Sequence, residues 1–416
     1  MPASAEAMTR FVIIGAGPAG MRAAEVLRVE APDADILLIG DEPHLPYDRP
    51  PLSKAFITDG LAPARLHLKP ESFYAEQRIR LRLGTTATRI DRAAKTVELA
   101  DGERVAYDRL LLATGCHARR LPALFDAADV HYLRSLADAE RIRQALAPGR
   151  EIVLIGGGFI GLELAAAATR LGAKVTVLEA LPRLMARGMP PLIGDYARAL
   201  HERHGVRFEF DARVKSIARS PSGGAVVTTA RADHVGDMVV AGIGAAPNTA
   251  LAEAAGIAVA DGIMVDAQGR SSDPDIFAAG DATRHLNPLL GRAIRVESWQ
   301  VALNQAAMVA RAMAGASDTY AELPWLWTDQ YDCNIQVLGC VDPAMEMIRR
   351  GDAAAPGFTL IGLDTEACIT AAITVNTGRD MAVLRRLATS RARVPKEALA
   401  DPARKLADLL KAARGA

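Results

Sequence analysis

Two glycine-rich loops with the pattern Gly-x-Gly-x-x-Gly are the residues of this sequence best suited to chemistry. One runs from Gly15 to Gly20 and the other from Gly156 to Gly161. In such a loop the first glycine permits a tight turn, the second lets the backbone approach a diphosphate, and the third lets helix and strand pack closely. The diphosphate lies at a helix N-terminus, where free N–H groups favour negative charge. Two loops therefore predict that one chain binds two dinucleotides.

A carboxylate follows each loop at the expected distance. Asp41 comes after the apolar run 36–39, and Glu179 comes directly after the run 174–178. About 20 residues beyond the loop, a carboxylate at a strand end accepts hydrogen bonds from a ribose. The repeated order favours nucleotide binding over ordinary glycine turns in α/β packing.

The sequence also predicts the strands and helices that position these residues. Apolar runs at 11–14 and 152–155 predict a strand before each loop, and helices are predicted over 21–29 and 162–171. From residue 320 onward, short strand-like runs alternate with turn residues. The sequence predicts an α/β chain with two Rossmann-like dinucleotide-binding domains and a C-terminal α+β domain.

Composition limits the possible functions. The 416 residues exceed one typical core, and the balance of 49 basic and 49 acidic residues argues against a dedicated nucleic-acid binder. No apolar run suits a membrane-spanning helix, and the N-terminus lacks signal-peptide features, so we expect a cytoplasmic protein without membrane attachment. Met8 is an alternative start to Met1. The C-terminal helix carries Leu406, Leu409 and Leu410, for which packing is favoured over membrane-surface binding.

The four cysteines indicate what this chain lacks. None of them forms a Cys-x-x-Cys pair, and none clusters with histidine at metal-ligand spacing. We therefore expect no metal site, no redox-active disulfide and no iron–sulfur cluster of the chain's own.

Several motifs together resemble one family, the FAD-dependent NADH–ferredoxin reductases of bacterial oxygenase systems, of the biphenyl-dioxygenase and putidaredoxin-reductase type. The motifs that carry the resemblance are Gly15–Gly20, Pro46-Tyr47-Asp48-Arg49-Pro50-Pro51-Leu52-Ser53-Lys54, Ala113-Thr114-Gly115, Gly156–Glu163, Gly280-Asp281, Glu297-Ser298-Trp299 and Leu323-Pro324-Trp325-Leu326-Trp327. The resemblance implies a glutathione-reductase-like fold. It places FAD on residues 1–115 and 246–322, NADH on residues 116–245, and a C-terminal α+β domain on residues 323–416.

The resemblance also implies which residues bind each nucleotide. The residues implied for FAD are Gly15, Gly17, Pro18, Ala19, Gly20, Asp41, Arg49, Lys54, Ala113, Thr114, Gly115, Gly280, Asp281, Ser298 and Trp299. The residues implied for NADH are Gly156, Gly158, Phe159, Ile160, Gly161, Glu163, Glu179 and Gly244.

Within the FAD set, the resemblance gives two features specific roles. Asp281 is implied to accept a hydrogen bond from the ribityl chain, with simple helix capping as the alternative. The helix beginning near Ser298 and Trp299 is implied to point its N-terminus at the flavin ring. Glu297 would oppose the negative charge of reduced flavin unless it is turned away.

Three residues are implied to be catalytic. Glu163 is the only charge between Phe159 and Thr169, so it needs a partner or a ligand. The resemblance supplies Lys54 as that partner, near flavin N5 and the nicotinamide, although a purely structural ion pair is the alternative. Trp327 is implied to lie on the flavin face opposite NADH, with core packing between domains as the other interpretation.

The choice of nucleotide depends on charge near the ribose. Glu179 can bind both ribose hydroxyls of NADH and would repel the 2′-phosphate of NADPH. Arg183 and Arg187 follow closely and could favour NADPH. The carboxylate at the strand end favours NADH, because its position is the one that contacts the ribose.

The function implied is a reductase that takes hydride from NADH onto FAD. Single electrons then pass to a separate [2Fe–2S] ferredoxin that feeds a Rieske-type dioxygenase or a cytochrome P450. Within the superfamily, a rubredoxin reductase and an NADH–quinone reductase remain alternatives. A flavin-containing signalling or DNA-binding protein, like the apoptosis-inducing flavoproteins, is an alternative of another class. The chain is expected to be a monomer or a homodimer.

Overall fold

The computed structural model describes residues 8–122, 130–221, 223–342 and 345–415. The chain divides into two compact units, and each is assembled from separated stretches. One unit comprises Met1–Asp48, Ala64–His117 and Ala246–Pro324. The other comprises Arg49–Pro63, Ala118–Ala245 and Trp325–Ala416. The division into an FAD domain, an NADH domain and a C-terminal domain stays a prediction.

The first unit is built around a parallel sheet. Its strand order is Ile276–Ala278, Arg109–Leu112, Arg10–Ile14, Asp35–Ile39 and Ile79–Arg82. The central strands are continuous apolar runs, as expected for strands covered on both faces. The edge strand Ile276–Ala278, which comes late in the chain, thus pairs with the strand Arg109–Leu112, which comes early.

Two helices of the first unit pack together against this sheet. They are Pro18–Glu30 and Trp299–Met313. Ala23, Ala24 and Ala306 are fully buried in the same core, so small side chains allow the close approach. The other helices of the unit are Glu71–Glu76 and Ala250–Ala254. The remaining strands of the unit are Ala87–Asp91, Thr96–Leu99, Arg104–Ala106, Ile263–Val265, Thr283–Asn287 and Arg292–Ile294.

The second unit contains a parallel sheet of the same kind. Its strand order is Arg207–Glu209, Lys174–Leu178, Glu151–Ile155, Met238–Ala241 and Val130–His131. The helix Phe159–Arg170 follows the central strand, and all of Leu162–Ala168 is buried. The other elements of this part are Pro50–Ser53, Ala55–Thr58, Leu136–Ala145, Pro191–Arg203, Ser216–Arg219, Ala225–Thr228 and Asp233–Gly236.

An antiparallel sheet completes the second unit. Its strand order is Trp325–Gln330, Cys333–Gly339, Ile369–Val375, Phe358–Leu363 and Met347–Arg350. The helices that follow it are Gly378–Thr389, Lys396–Ala400 and Leu406–Gly415. Three short elements lie where the chain passes from one unit to the other: Pro63–Leu66, Cys116–Ala118 and Ala245–Pro247.

The fold class predicted from sequence is confirmed, with two parallel Rossmann-like sheets and an antiparallel C-terminal sheet. Leu406 and Leu410 of the last helix are buried, so its apolar face packs within the unit. Of the helices in the described segments, none is long and apolar enough to cross a membrane.

Two buried histidines, one in each unit, make the stability of the fold sensitive to acid. His201 and His285 are 0% and 2% exposed, and burial lowers the pKa of each to about 4. The folded chain keeps these rings neutral where the unfolded chain, with an ordinary histidine pKa of about 6.5, takes up protons. Their stabilising contribution is therefore complete above pH 6.5 and is lost as the pH falls towards 4.

We expect the free energy of unfolding to fall between pH 6.5 and pH 4 by about 1.4 kcal/mol per pH unit for each of these histidines. Urea unfolding at several pH values measures this slope. His285→Leu should make the slope shallower, because it removes one of the two buried histidines that bind a proton on unfolding. An unchanged slope in that variant would contradict the assignment.

Candidate functional site

The first glycine loop has the geometry of a nucleotide-binding turn. Gly15 has a φ of +113°, and a Cβ there would lie 2.1 Å from the carbonyl oxygen of Ala113. A Cβ on Gly20 would lie 1.9 Å from the carbonyl oxygen of Gly15. Gly17, by contrast, has an ordinary extended φ and open space around its missing side chain. Gly15 and Gly20 are thus required by the fold, whereas Gly17 leaves room for a ligand.

The second loop repeats this geometry in the other unit. Gly156 has a φ of +108°, and its Cβ would lie 2.4 Å from the carbonyl oxygen of Gly242. A Cβ on Gly161 would lie 2.3 Å from the carbonyl oxygen of Gly156, and Gly158 again faces open space. Gly158 precedes the helix Phe159–Arg170 and makes no side-chain cap.

In both loops the helix N-terminus therefore offers backbone N–H groups beside open space at the middle glycine. Pro18 and Ala19 begin one helix, and Phe159 and Ile160 begin the other. This arrangement fits a diphosphate, which must approach the backbone closely and carries the charge that a helix N-terminus favours.

The two acids predicted for ribose binding have different surroundings. Glu179 is buried directly after its strand and accepts hydrogen bonds from the N–H groups of Gly157 and Leu181, at 2.7 and 2.8 Å. Asp41 is exposed and lies two residues beyond the strand Asp35–Ile39. The second carboxylate is thus oriented by its own glycine loop before any ligand arrives.

The two arginines near Glu179 are held by backbone carbonyl groups. Arg183 donates to the oxygens of Leu184 and Ala186 at 3.4 and 3.3 Å. Arg187 donates to the oxygen of Ile243 at 3.4 Å, which places it beside Gly244. Gly244 and Arg187 therefore lie close together in the second unit.

In the first unit, the turn Ala113-Thr114-Gly115 is locked by an asparagine that sequence reasoning missed. Thr114 Oγ1 donates to the Asn248 carbonyl at 2.7 Å, and Asn248 Nδ2 donates to the Thr114 carbonyl at 2.8 Å. The Asn248 N–H also donates to the Gly115 carbonyl at 2.9 Å. In the sequence, Asn248 shows only as an amide side chain directly after residues 245–247. That pattern is too common to predict its role.

Gly280 and Asp281 form a turn before the strand Thr283–Asn287. Gly280 has a φ of +82°, and its N–H donates to Oε1 of the buried Gln305 at 2.8 Å. The half-buried Asp281 accepts a contact from Cys116 Sγ at 3.5 Å. Since a strand follows, the alternative that Asp281 merely caps a helix is wrong.

The long helix of the first unit begins as predicted. Ser298 caps it by accepting a hydrogen bond from a backbone N–H of the first turn. Trp299 Nε1 donates to Asp48 at 2.7 Å. Glu297 is paired with Arg295 at 2.7 Å, so its negative charge at this helix end is neutralised.

In the second unit, Lys54 and Glu163 form an ion pair, with Nζ 3.1 Å from Oε1. Glu163 is 7% exposed, and it receives two further hydrogen bonds, from Ser53 Oγ and from Thr328 Oγ1, the latter at 2.6 Å. A buried carboxylate needs such donors because water is excluded from it. The predicted pair is therefore present, and Ser53 and Thr328 are site residues that sequence reasoning missed.

The segment before Lys54 holds another predicted residue. Arg49 Nη1 donates to the carbonyl oxygen of Arg134 at 2.9 Å. The 3₁₀ turn Pro50–Ser53 and the short helix Ala55–Thr58 then follow on either side of Lys54.

Trp327 is half-buried beside this ion pair. Its ring stacks on Trp325, with centroids 5.0 Å apart, and Lys54 Nζ lies 5.6 Å from the Trp327 ring centre. Trp327 Nε1 donates to Asp329 at 3.1 Å, and Asn334 Nδ2 donates to the same carboxylate at 2.7 Å. Lys54 lies 3.6 Å from Asp329, so the tryptophan and the lysine share one polar partner.

Burial limits the reactivity of the Cys333 thiol. Cys116, Cys333 and Cys368 are buried, and burial raises the pKa of the Cys333 thiol to about 11. A raised pKa suppresses the thiolate, which is the reactive form. In the stretches of chain covered by the structure, histidine, cysteine and acidic side chains form no group of three able to hold a metal ion.

Comparison with known proteins finds families and relatives that this chain resembles. Residues 9–306 match the family described as pyridine nucleotide-disulphide oxidoreductase, and residues 325–410 match the family described as reductase C-terminal. The chain is 48% identical to the ferredoxin–NAD(+) reductase component of the anthranilate 1,2-dioxygenase system of Burkholderia cepacia, over 94% of this chain and 97% of the relative.

Two further comparisons agree. The chain is 38% identical to the corresponding component of the biphenyl dioxygenase system of Paraburkholderia xenovorans, over 97% of this chain and 98% of the relative. Among solved structures, it superimposes on a chain of the covalent putidaredoxin reductase–putidaredoxin complex with a TM-score of 0.94 and 35% identity. That match covers 98% of this chain and 99% of the other.

Proposed function

The chain belongs to the family of ferredoxin–NAD(+) reductases of the dioxygenase and putidaredoxin-reductase type, and on that basis we propose that it carries electrons from NADH to a [2Fe–2S] ferredoxin. The observation that carries the proposal is the 48% identity to a dioxygenase-system reductase over 94% of the chain. The two independently formed glycine loops support it, because a reductase of this kind must bind two dinucleotides.

Membership of this family implies that the chain binds FAD and NAD(H). We propose that FAD binds the first loop, in a domain formed by residues 1–115 and 246–322. NADH would bind the second loop, in a domain formed by residues 116–245. Flavin, when bound, supplies the conversion of a two-electron donor into a one-electron donor.

The residues around the first loop would each hold a different part of FAD. The loop and its helix N-terminus would bind the diphosphate. Asp41 would bind the adenosine ribose, Asp281 the ribityl chain, and the helix that Ser298 caps would stabilise negative charge on the ring.

Lys54 and Glu163 would orient the nicotinamide end of NADH. The carboxylate has donors on both oxygens, so its position is fixed before the nucleotide binds. A preorganised group of this kind raises the rate by holding the reacting carbon in place. Trp327, beside Lys54, would shield the flavin ring on the side from which the ferredoxin takes electrons.

Glu179 is expected to make the enzyme prefer NADH to NADPH. Its buried carboxylate would meet the 2′-phosphate of NADPH with like charge, while it can accept hydrogen bonds from a ribose diol. We expect Glu179→Gln to reduce the ratio of kcat/KM for NADH over that for NADPH about tenfold, because a close unscreened charge repulsion is removed.

The matched control is Glu209→Gln, which changes a carboxylate on the neighbouring strand that pairs with His234 instead. It should leave the nucleotide preference unchanged. A wild-type enzyme that prefers NADPH would refute the assignment of Glu179.

The proposed function is tested by NADH-driven reduction of cytochrome c, with and without [2Fe–2S] ferredoxins of dioxygenase and cytochrome P450 systems. We expect yellow purified protein and a rate that depends on the concentration of a ferredoxin. Reduction that requires a rubredoxin or a quinone instead would favour the alternative acceptors. Protein that binds DNA in a salt-sensitive manner and transfers no electrons would overturn the proposal.

A further inference from the structure

A row of buried polar side chains begins at Glu163 and leads away from Lys54. Thr328 Oγ1 donates to Glu163 at 2.6 Å, and Gln330 Nε2 lies 3.2 Å from Thr328 Oγ1. Gln330 Oε1 lies 3.0 Å from His201 Nε2. Thr328, Gln330 and His201 are each 0% exposed. Three fully buried polar residues in a row are costly to fold unless each is satisfied, so their presence calls for a role.

Hydrogen-bond chemistry fixes the direction of this row. A carboxylate only accepts, so the single hydrogen of the Thr328 hydroxyl points to Glu163. Thr328 can then only accept from Gln330, which turns the amide NH2 towards Thr328 and the amide oxygen towards His201. That oxygen needs a donor, so the hydrogen of the neutral imidazole lies on Nε2.

The far end of the row agrees with this direction. Tyr331 OH lies 3.3 Å from His201 Nδ1 and 3.0 Å from Thr169 Oγ1, so it can donate to Nδ1 of the Nε2–H tautomer when Thr169 is the donor to Tyr331. The ring of His204 stacks on Tyr331 with centroids 3.6 Å apart. Tyr331 also has a φ of +58°, a conformation that a bulky residue rarely adopts. Tyr331 is the first of the two residues that join Gln330 to Cys333 in a hairpin, and this turn requires the positive φ.

We propose that Thr328, Gln330 and His201 form a one-way row of hydrogen bonds that orients the Glu163 carboxylate towards Lys54. Gln330 and His201 are positioning residues, acting through Thr328 without contact with Glu163. The kinetic consequence rests on the proposed function of the ion pair, whereas the direction of the row does not.

The direction is tested by nitrogen NMR of the FAD-loaded protein labelled with ¹⁵N-histidine, at pH 7.5. The signals of His201 are identified by their loss in His201→Gln. We expect a single neutral form protonated on Nε2. Protonation of His201 on Nδ1, or a charged imidazolium, would contradict the proposed direction of the hydrogen bonds.

Thr328→Val tests whether Thr328 sets the direction. The change removes the hydroxyl with little change of shape, so the Gln330 amide is free to reverse and a second tautomer of His201 should appear. Thr328→Ser should restore the single tautomer. The control is Thr359→Val, the same change at a buried threonine of the same sheet whose hydroxyl pairs with Thr377. A single Nε2–H form in Thr328→Val contradicts the proposal.

The same variants test positioning. With saturating NADH, we expect Thr328→Val to slow flavin reduction about tenfold, with Thr328→Ser near wild type and Thr359→Val unchanged. Equal rates in all variants overturn the positioning role. If wild-type protein shows no NADH-dependent flavin reduction, the proposed function is wrong. The tautomer of His201 still tests the direction of the hydrogen bonds in that case.

Discussion

Replacement of Lys54 by methionine is expected to slow the reduction of flavin by NADH about a hundredfold, because a small misplacement of a positioned reactant costs a factor of this size. The ammonium group lies 3.1 Å from Glu163 Oε1, and methionine keeps most of the unbranched side chain without its charged end. The carboxylate then keeps only its hydroxyl donors and loses the cation that faces it. Stopped-flow spectroscopy of flavin reduction at saturating NADH measures the effect.

Lys69→Met is the matched control for this variant. Lys69 also pairs with a glutamate, Glu25, at 2.6 Å, and lies 4.7 Å from the ring centre of Phe73. It thus repeats the ion pair and the aromatic neighbour of Lys54 in the other unit. Normal flavin reduction in Lys54→Met would leave the pair with Glu163 a purely structural one.

Gly158→Ala is expected to weaken NADH binding about a hundredfold while the protein still folds and keeps FAD. A Cβ at Gly158 meets nothing in the protein, and its φ of −86° suits alanine. The methyl group would occupy the space for the diphosphate and prevent charge-assisted hydrogen bonds to the helix N-terminus, which are worth about 1.5–3 kcal/mol each. Titration of the oxidised protein with NAD+ or a non-reducing analogue measures the affinity.

Three glycine variants make this experiment specific. Gly17→Ala should weaken FAD retention instead, because Gly17 has the same open geometry in the other loop. Gly188→Ala also adds a methyl group in open space, outside both loops, and should change neither nucleotide. Gly156→Ala should prevent proper folding of its unit, since its Cβ would lie 2.4 Å from a backbone oxygen. Unaltered NADH affinity in Gly158→Ala would refute the binding site.

The regular elements of the fold were largely predictable, because their periodicity is local. The strand Lys174–Leu178 lies where it was predicted. The helix predicted over 162–171 begins earlier, at Phe159, because the glycine loop itself forms its first turn. The small antiparallel sheets were missed. Their strands, such as Ala87–Asp91 and Ser216–Arg219, are short and partly exposed, so they lack a strong apolar pattern.

The site was predictable to the extent that motifs carry it. Glu163 stands out as a lone charge in an apolar helix, but its partner Lys54 came from a family resemblance. Ser53 and Thr328 bind the same carboxylate from 110 and 165 residues away. Their types are ordinary, so nothing in the sequence distinguishes them from other serines and threonines.

By itself the sequence determined the two glycine loops, their strands and helices, and the acid that follows each loop. These follow from local rules, since a glycine turn, an apolar strand and a helix start each depend on neighbouring residues. Only the tertiary structure decided which side chains share the Glu163 carboxylate and in which direction the row through Gln330 to His201 runs. Those contacts join residues far apart in the chain, and their geometry exists only once the second unit is folded.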